Sequence, residues 1–345
     1  MQERILGRTG VPVSVVGLGA WQLGADWGRV DEDEALATLI AAHEAGVTFI
    51  DTADVYGDGR SERIVGQFAR SLPAGRRVTV ATKMGRRVPQ VPEAYRRDNF
   101  KTWNDRSREN LGVDTLDLVQ LHCPPSEVYR TEEVFDKLDE MVAEGRMRAY
   151  GVSVETTEEA LTAIARPNVA SVQIIFNMLR LKPLDEVLPA AEKAGVGIIA
   201  RVPLASGLLS GRYDEHTTFG ADDHRTYNRH GEAFDQGETF SGVDYGTGLA
   251  AVRRLAQLRP DDATMAQFAL RWIIDHPAVS VVIPGARNGE QARANADAAA
   301  LPSLTPEAHA TVRDIYDELI RESVHPGGKR RRHARGRGRV PCSQS

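Results

Sequence analysis

VTFIDTADVYGDG (residues 47–59), RVTVATKMG (77–85) and LDLVQLHC (116–123) share one layout: a short apolar run that ends in polar residues. Such runs read as buried β-strands, and the polar residues at or just beyond their C-terminal ends are Asp51, Tyr56, Lys83 and His122. In a barrel of parallel strands these ends open onto one face, which would bring four residues that never adjoin in sequence into one place.

The pattern extends in both directions. Upstream, VVGLGAWQLG (15–24) is an apolar strand with a glycine-rich exit, and ERILGRTGVPVSVV (3–16) reads as a hairpin turning at Thr9-Gly10. DEDEALATLIAAHEAG (31–46) has helical periodicity, with acids at its start and Gly46 at its end. The remaining strands are AYGVSV (149–154), SVQIIF (171–176), GIIARV (197–202) and VSVVIPG (279–285). Helical stretches at 61–72, 97–112, 131–145, 156–165, 184–195, 264–276 and 288–299 follow the strands in alternation. Eight strand-like segments, continuously apolar rather than alternating, predict buried parallel strands, and eight βα units in about 300 residues predict an α/β fold, a (β/α)8 TIM barrel with an N-terminal β-hairpin. A doubly wound open sheet is the competing architecture. Its dinucleotide fingerprint is missing, because Gly17-Leu18-Gly19-Ala20-Trp21 is followed by Gln22 where G-x-G-x-x-G requires glycine.

One stretch breaks the rhythm. Between Leu208 and Gly248, after strand seven, the chain is rich in Gly, Asp and His and shows no helical period. A loop of that length on a compact domain suits a lid over a site. Its aromatics Tyr213, Phe219, Tyr227, Phe234, Phe240 and Tyr245 are expected to pack, which a solvated linker would not need.

The chain has 345 residues, 41% hydrophobic and 26% charged, enough for a large core in a soluble protein and a length at which one domain is as expected as two. Residues 1–325 are read as the barrel and 326–345 as a disordered basic tail. From Lys329 to Arg339 there are seven Lys or Arg and no acid, so the rest of the chain is more acidic than the overall net charge of −5. A body of that sign is a poor general partner for nucleic acid. Two cysteines, Cys123 and Cys342, make no disulfide framework and suit a reducing compartment. MQERILGRTG lacks the apolar core of a signal peptide, and no run approaches the roughly 18 apolar residues of a spanning helix, so a cytoplasmic protein is expected.

The four strand-end residues make chemical sense together. A tyrosine phenol is a poor acid at neutral pH, but an adjacent lysine ammonium favours its phenolate and lowers its pKa. Lys83 suits that role beside Tyr56, and a buried ammonium needs an ion-pair partner, which Asp51 supplies. His122 is placed to hydrogen-bond and orient a substrate oxygen. The set delivers a proton to an oriented carbonyl and lacks a nucleophile, so the missing partner should be a hydride carried by a cofactor. A metal site built from His122, Cys123 and nearby acids is a poorer account, since the spacing matches no closed ligand set.

From about Arg4 to Ile320 the chain resembles the aldo-keto reductases, bacterial branch. GLGAWQLG, FIDTADVYGDGRSE, VATKMG, LDLVQLH, YGVSV, RVPLASGLLSGRY and IPGARNGEQARAN carry the resemblance. It implies a tetrad of Asp51, Tyr56, Lys83 and His122, with Tyr56 as general acid, and NADPH rather than NADH bound extended across the barrel mouth. By the same resemblance Ser153 and Gln173 would hydrogen-bond the nicotinamide carboxamide, and Leu204, Ser206 and Gly207 would run along the pyrophosphate. Gly285 and Arg287 fall where such proteins grip the 2′-phosphate, and Gln291 and Asn295 where they meet adenine. A helix opening at Asn288 offers free N–H groups and a positive dipole end to an anion, which agrees.

Two departures from the family pattern stand out. Val154 follows Ser153 where asparagine is common, and Arg201 stands where many members stack a tyrosine on the nicotinamide. A guanidinium can stack as a flat plate or clamp the pyrophosphate. A small carbonyl substrate is expected to meet Trp21, Met84 and Tyr213. The resemblance leaves a second role open, a cofactor-binding redox sensor of the potassium-channel β-subunit kind, and it leaves the oligomeric state open. Because the tail lies outside every βα unit, a chain ending at His325 is expected to turn over substrate at the full-length rate; loss of activity on that truncation overturns the assignment.

Overall fold

The computed structural model describes residues 1–24, 30–220, 223–232 and 235–325. The basic tail and Phe234 lie outside the described residues. A two-stranded antiparallel hairpin, β1 (Glu3–Ile5) and β2 (Pro12–Ser14), precedes eight parallel strands. These are β3 (Leu18–Gly19), β4 (Phe49–Asp51), β5 (Thr79–Met84), β6 (Leu116–His122), β7 (Met147–Ser153), β8 (Val169–Ile175), β9 (Gly197–Arg201) and β10 (Val279–Val282). Each pairs with the next in chain order. Parallel bridges Val16↔Val282 and Gly19↔Gly285 join the first strand to the last, with Gly17 N donating to Val282 O at 2.8 Å, so the sheet closes and has no free edge.

The helices are α1 (Glu32–Glu44), α2 (Arg60–Ser71), α3 (Arg97–Leu111), α4 (Glu132–Ala143), α5 (Thr157–Ile164), α6 (Lys182–Ala194), α7 (His224–Tyr227), α8 (Tyr245–Leu255), α9 (Met265–Ile274), α10 (Gly289–Asp297), α11 (Pro306–Leu319) and α12 (Arg321–Val324). None among the described residues is long and apolar enough to cross a membrane. Two corrections to the sequence reading concern the C-terminal third. α8 begins inside the stretch read as aperiodic, because Gly246 and Gly248 in its first turn mask its period and only the Asp244 cap, accepting from Thr247 N, announces it. α11 and α12 extend the fold beyond the eighth βα unit.

Strand alternation divides the core in two. Phe49, Ala81, Leu118, Ile199, Val281 and Ile283 point into the barrel and form one cluster with Leu6 and Val13 of the hairpin, which therefore plugs the barrel. The intervening residues, such as Ile50, Val80, Val119 and Leu121, face the helix layer and belong to a second, larger cluster. The hairpin seats closely: a Cβ at Gly197 would lie 2.7 Å from Gly7 N and 3.1 Å from Leu6 C. Arg4 donates to Ile274 O at 2.7 Å, Val279 O at 2.6 Å and His276 O at 3.0 Å, satisfying carbonyls at the end of α9 and the start of β10.

The expected packing of aromatics in the long loop is observed. Tyr213 meets Phe219 at 5.3 Å between centroids, Phe219 meets Phe240 at 5.9 Å, and Phe240 meets Tyr245 at 5.1 Å. Arg225 lies 4.3 Å over the Phe219 ring and Arg229 lies 5.3 Å over Tyr245. Tyr227 is 41% exposed. Because Leu6 closes the barrel core, Leu6→Ala is expected to cost about 2–5 kcal/mol of stability in denaturant unfolding; an unchanged midpoint would show that the hairpin is peripheral.

Candidate active site

The alternation that fills the barrel with Phe49, Ala81 and Leu118 places Asp51, Lys83, Gln120 and His122 one or two steps further along the same inward face. Ser153 and Gln173 continue the set on β7 and β8, in register with each other and with His122. Lys83 is 1% exposed and Asp51 3%. They form a direct ion pair, and Lys83 Nζ also donates to Thr52 O at 2.8 Å and to the Tyr56 hydroxyl at 3.2 Å. The second Asp51 oxygen accepts from Gln173 Nε2 at 2.7 Å and Gln120 Nε2 at 3.1 Å. Tyr56 arrives from the turn after β4, and its ring stacks on Trp21 at 5.9 Å and meets His122 edge-on at 6.0 Å.

Protonation follows from this geometry. Burial pulls the Lys83 pKa down, but Asp51 and Tyr56 reverse the shift, so the group stays an ammonium. Burial pushes Tyr56 above the ordinary phenol value although Lys83 pulls it down. The sequence reading had the direction of the lysine effect, and the net shift is the opposite because desolvation of the phenolate is larger. His122 is held well below its ordinary value by burial and by Arg86, Lys83 and Arg201, so it is a neutral imidazole. Its Nδ1 has no partner among the described residues.

Asp51, Tyr56 and His122 line a cavity of about 840 Å³, with Lys83 behind them. The same cavity is lined by Trp21, Ser153, Gln173, Arg201, Leu204, Ser206, Gly207 and Tyr213, and continues to Gly285, Arg287, Gln291 and Asn295. Met84 is the exception. It is 1% exposed and belongs to the helix-facing core, because one residue after the inward Lys83 a strand points outward.

Several of these residues are already engaged. The Ser153 hydroxyl accepts from Cys123 N at 3.0 Å. Ser206 donates to Glu238 O at 2.7 Å and accepts from Phe240 N at 3.1 Å, tying the long loop to the cavity wall. Arg201 is ion-paired to Glu238 of that loop and donates to Val154 O at 2.9 Å, so its plate is fixed, and a swing to a pyrophosphate would first have to break the pair. At the far end Asn288 caps α10 by accepting from Gln291 N at 2.9 Å, while Gln291 Oε1 accepts from Arg287 N at 3.0 Å. Asn295 donates to Gly285 O at 3.2 Å.

Four residues of the site escaped the sequence reading. Gln120 had a visible signal, a lone amide in an apolar strand two residues before His122 and so on its face. Arg86, which donates to His122 O at 3.1 Å, and Glu238 had none, since their partners are set by tertiary contacts. Arg212, like Arg287, presents a guanidinium to the cavity with no hydrogen-bond or ion-pair partner among the described residues. No group of three or more His, Cys, Asp or Glu arranged to hold a metal occurs among the described residues.

The closed parallel barrel thus carries a phenol, an ion-paired ammonium and a neutral imidazole at its mouth. The chain belongs to the aldo/keto reductase family, whose model it matches over residues 15–317. It is similar to "Aldo-keto reductase YhdN" of Bacillus subtilis (30% identity over 94% of this chain and 97% of that one). A "Probable voltage-gated potassium channel subunit beta" of Oryza sativa is 31% identical over 89% of this chain and 94% of its own. Among solved structures, the glycerol dehydrogenase AKR11B4 from Gluconobacter oxydans aligns with TM-score 0.73 and 31% identity, covering 92% of this chain and 95% of that one. An aldo-keto reductase from Klebsiella pneumoniae in complex with NADPH aligns with TM-score 0.67 and 25% identity, covering 92% and 96%.

Lys83→Met would leave the Asp51 carboxylate buried without its cation, and is expected to cost about 3–5 kcal/mol in denaturant unfolding. Adding Asp51→Leu should recover part of that stability and none of the turnover. Unaltered stability in the single variant would show that the pair is solvated.

Proposed function

We propose that this protein reduces the carbonyl group of an aldehyde or ketone with NADPH, Tyr56 being the proton donor. The single observation that carries the reading is the Lys83 ammonium bonded at once to Asp51 and to the Tyr56 hydroxyl, opposite a neutral His122. A dinucleotide fits the residues present. The cavity runs from that centre to the start of α10, and the unpaired guanidiniums of Arg212 and Arg287 suit phosphate groups, which favours NADPH over NADH. Ser153, Gln173 and Arg201 would lie along its nicotinamide end, Leu204, Ser206 and Gly207 along the pyrophosphate, and Gly285, Arg287, Gln291 and Asn295 around the adenosine and its 2′-phosphate. The NADPH-bound Klebsiella structure supports this choice of cofactor. When bound, the cofactor supplies the hydride.

The chain's own groups do the rest. The carbonyl oxygen sits between the Tyr56 hydroxyl and the His122 ring, which as a neutral imidazole donates through its single N–H. Tyr56 remains protonated at neutral pH, since burial holds its pKa above the ordinary phenol value. As negative charge develops on the carbonyl oxygen, the phenol proton moves to it, and Lys83 takes up the charge left on the phenolate. Asp51 keeps Lys83 charged and in place, and Gln120 and Gln173 hold Asp51. Trp21 covers Tyr56 and, with Tyr213 of the long loop, screens the reacting carbonyl from water.

The likeness to a probable channel β subunit supports a second reading, an NADPH-binding redox sensor on the same barrel. Rapid multiple turnover on a panel of carbonyl compounds supports the enzyme, whereas a single slow oxidation of bound NADPH supports the sensor. Tyr56→Phe is expected to lower turnover roughly 10²–10⁴-fold while leaving NADPH affinity, read by fluorescence titration, near wild type; near-normal turnover in that variant removes Tyr56 from its role.

A further inference from the structure

Two residues before Tyr56, in the same turn, Asp54 is wholly buried. No hydrogen bond of ordinary geometry reaches either carboxylate oxygen among the described residues, and the Val55 N–H offers only a weak contact. The groups facing it do not compensate a charge. From α2 comes Glu62, also wholly buried and itself held by Thr82 at 2.6 Å and Asn110 at 2.8 Å. Arg87, after β5, and Arg106, on α3, are the cations that act on it, and each bonds Asp58 at the surface through a terminal nitrogen, at 2.6 and 2.8 Å, while Arg106 Nε stays buried without a hydrogen-bond partner among the described residues. Arg87 reaches only the backbone carbonyl of Asp54, at 3.2 Å. Tyr95, before α3, is the remaining titratable neighbour and donates to Gln90 at 2.9 Å. β5 contributes only a backbone contact, Asp54 N donating to Lys83 O at 3.2 Å.

A carboxyl group sealed beside a second carboxylate, with no cation bonded to either of its oxygens, neutralises by keeping its proton. We propose that Asp54 is a positioning residue, which holds the Tyr56 turn in its productive shape only while its carboxyl group is protonated and so sets an alkaline limit on activity. Geometry makes the coupling short. The turn is pinned by Asp54 N on Lys83 O and by Tyr56 N on Ala53 O at 3.2 Å, so an ionised Asp54 that pulls toward Arg87 or Arg106 drags the backbone that carries the phenol. Burial, then Glu62, push this carboxyl up to about 7, while Arg87 and Arg106 pull the other way. The sign follows. With the folded-state pKa above the ordinary aspartate value, the stability cost is absent below that ordinary value, grows as pH rises and is complete above about 7.

The effect on catalysis rests on Tyr56 being the proton donor, whereas the effect on folding does not. The test compares the wild type with Asp54→Asn, which keeps the shape and removes the charge. In kcat/KM against pH, the variant should match the wild type on the acid side and carry its alkaline fall at least about one pH unit higher. Melting temperature should drop for the wild type between about pH 4 and pH 7 and drop less for the variant. Superimposable alkaline limbs with equal melting shifts overturn the proposal. Should the variant fail to fold, ¹³C-carboxyl NMR of aspartate-labelled wild type decides: one aspartate titrating near neutrality supports it, and titration of all of them below about pH 5 overturns it. If Tyr56→Phe retained turnover, the proton-donor reading would fail while the Asp54 titration and melting shift stayed visible.

Discussion

An ammonium sealed inside a protein is the constraint on which this structure turns. Burial works against the Lys83 charge and Asp51 in direct contact restores it, while Asp51 in turn is held by Lys83 and by two donated amide hydrogens from Gln120 and Gln173. Such a pair gives little or no net stability against apolar residues of the same size. Its presence in the middle of a barrel core therefore points to chemistry rather than to folding. The apolar layer beneath it, Phe49, Ala81, Leu118 and Ile199 closed by Leu6 and Val13, supplies the stability that lets the layer above be polar.

The barrel solves the placement problem with the simplest available period. Two residues per repeat carry each strand from a packing residue to a chemical one: Phe49 to Asp51, Ala81 to Lys83, Leu118 to Gln120 and then His122. The same period explains why Met84 lies in the helix-facing core although it adjoins Lys83 in sequence. Neutral His122, protonated Tyr56 and charged Lys83 are consequences of one low-dielectric environment acting on groups with different partners.

The long segment between Leu208 and Gly248 is attached to this centre rather than appended to it. Arg201 holds Glu238, Ser206 holds the Glu238 carbonyl and the Phe240 amide, and an aromatic cluster of Tyr213, Phe219, Phe240 and Tyr245 holds the segment together. Arg201, at the end of β9, thus joins the cavity wall to the long segment in one contact.

What the sequence determined by itself was whatever depends on neighbours along the chain. Apolar runs set the strands, helical periods set the helices between them, and the residues at the strand ends, Asp51, Tyr56, Lys83 and His122, were legible because strand polarity dictates which end of a barrel they share. The helix start at Asn288, just after Arg287, was legible because a cap is a local event, whereas Gln291 and Asn295 were read only from the family resemblance. Tertiary structure decided the rest, since it alone chooses partners across distance. Gln173 meets Asp51 across 122 residues and Arg201 meets Glu238 across 37, and no local pattern encodes either pairing. The net rise of the Tyr56 pKa, the orphaned carboxyl of Asp54 and the hairpin's role as a plug are of the same kind. Each depends on how much water is excluded, a quantity that exists only once the whole chain has packed.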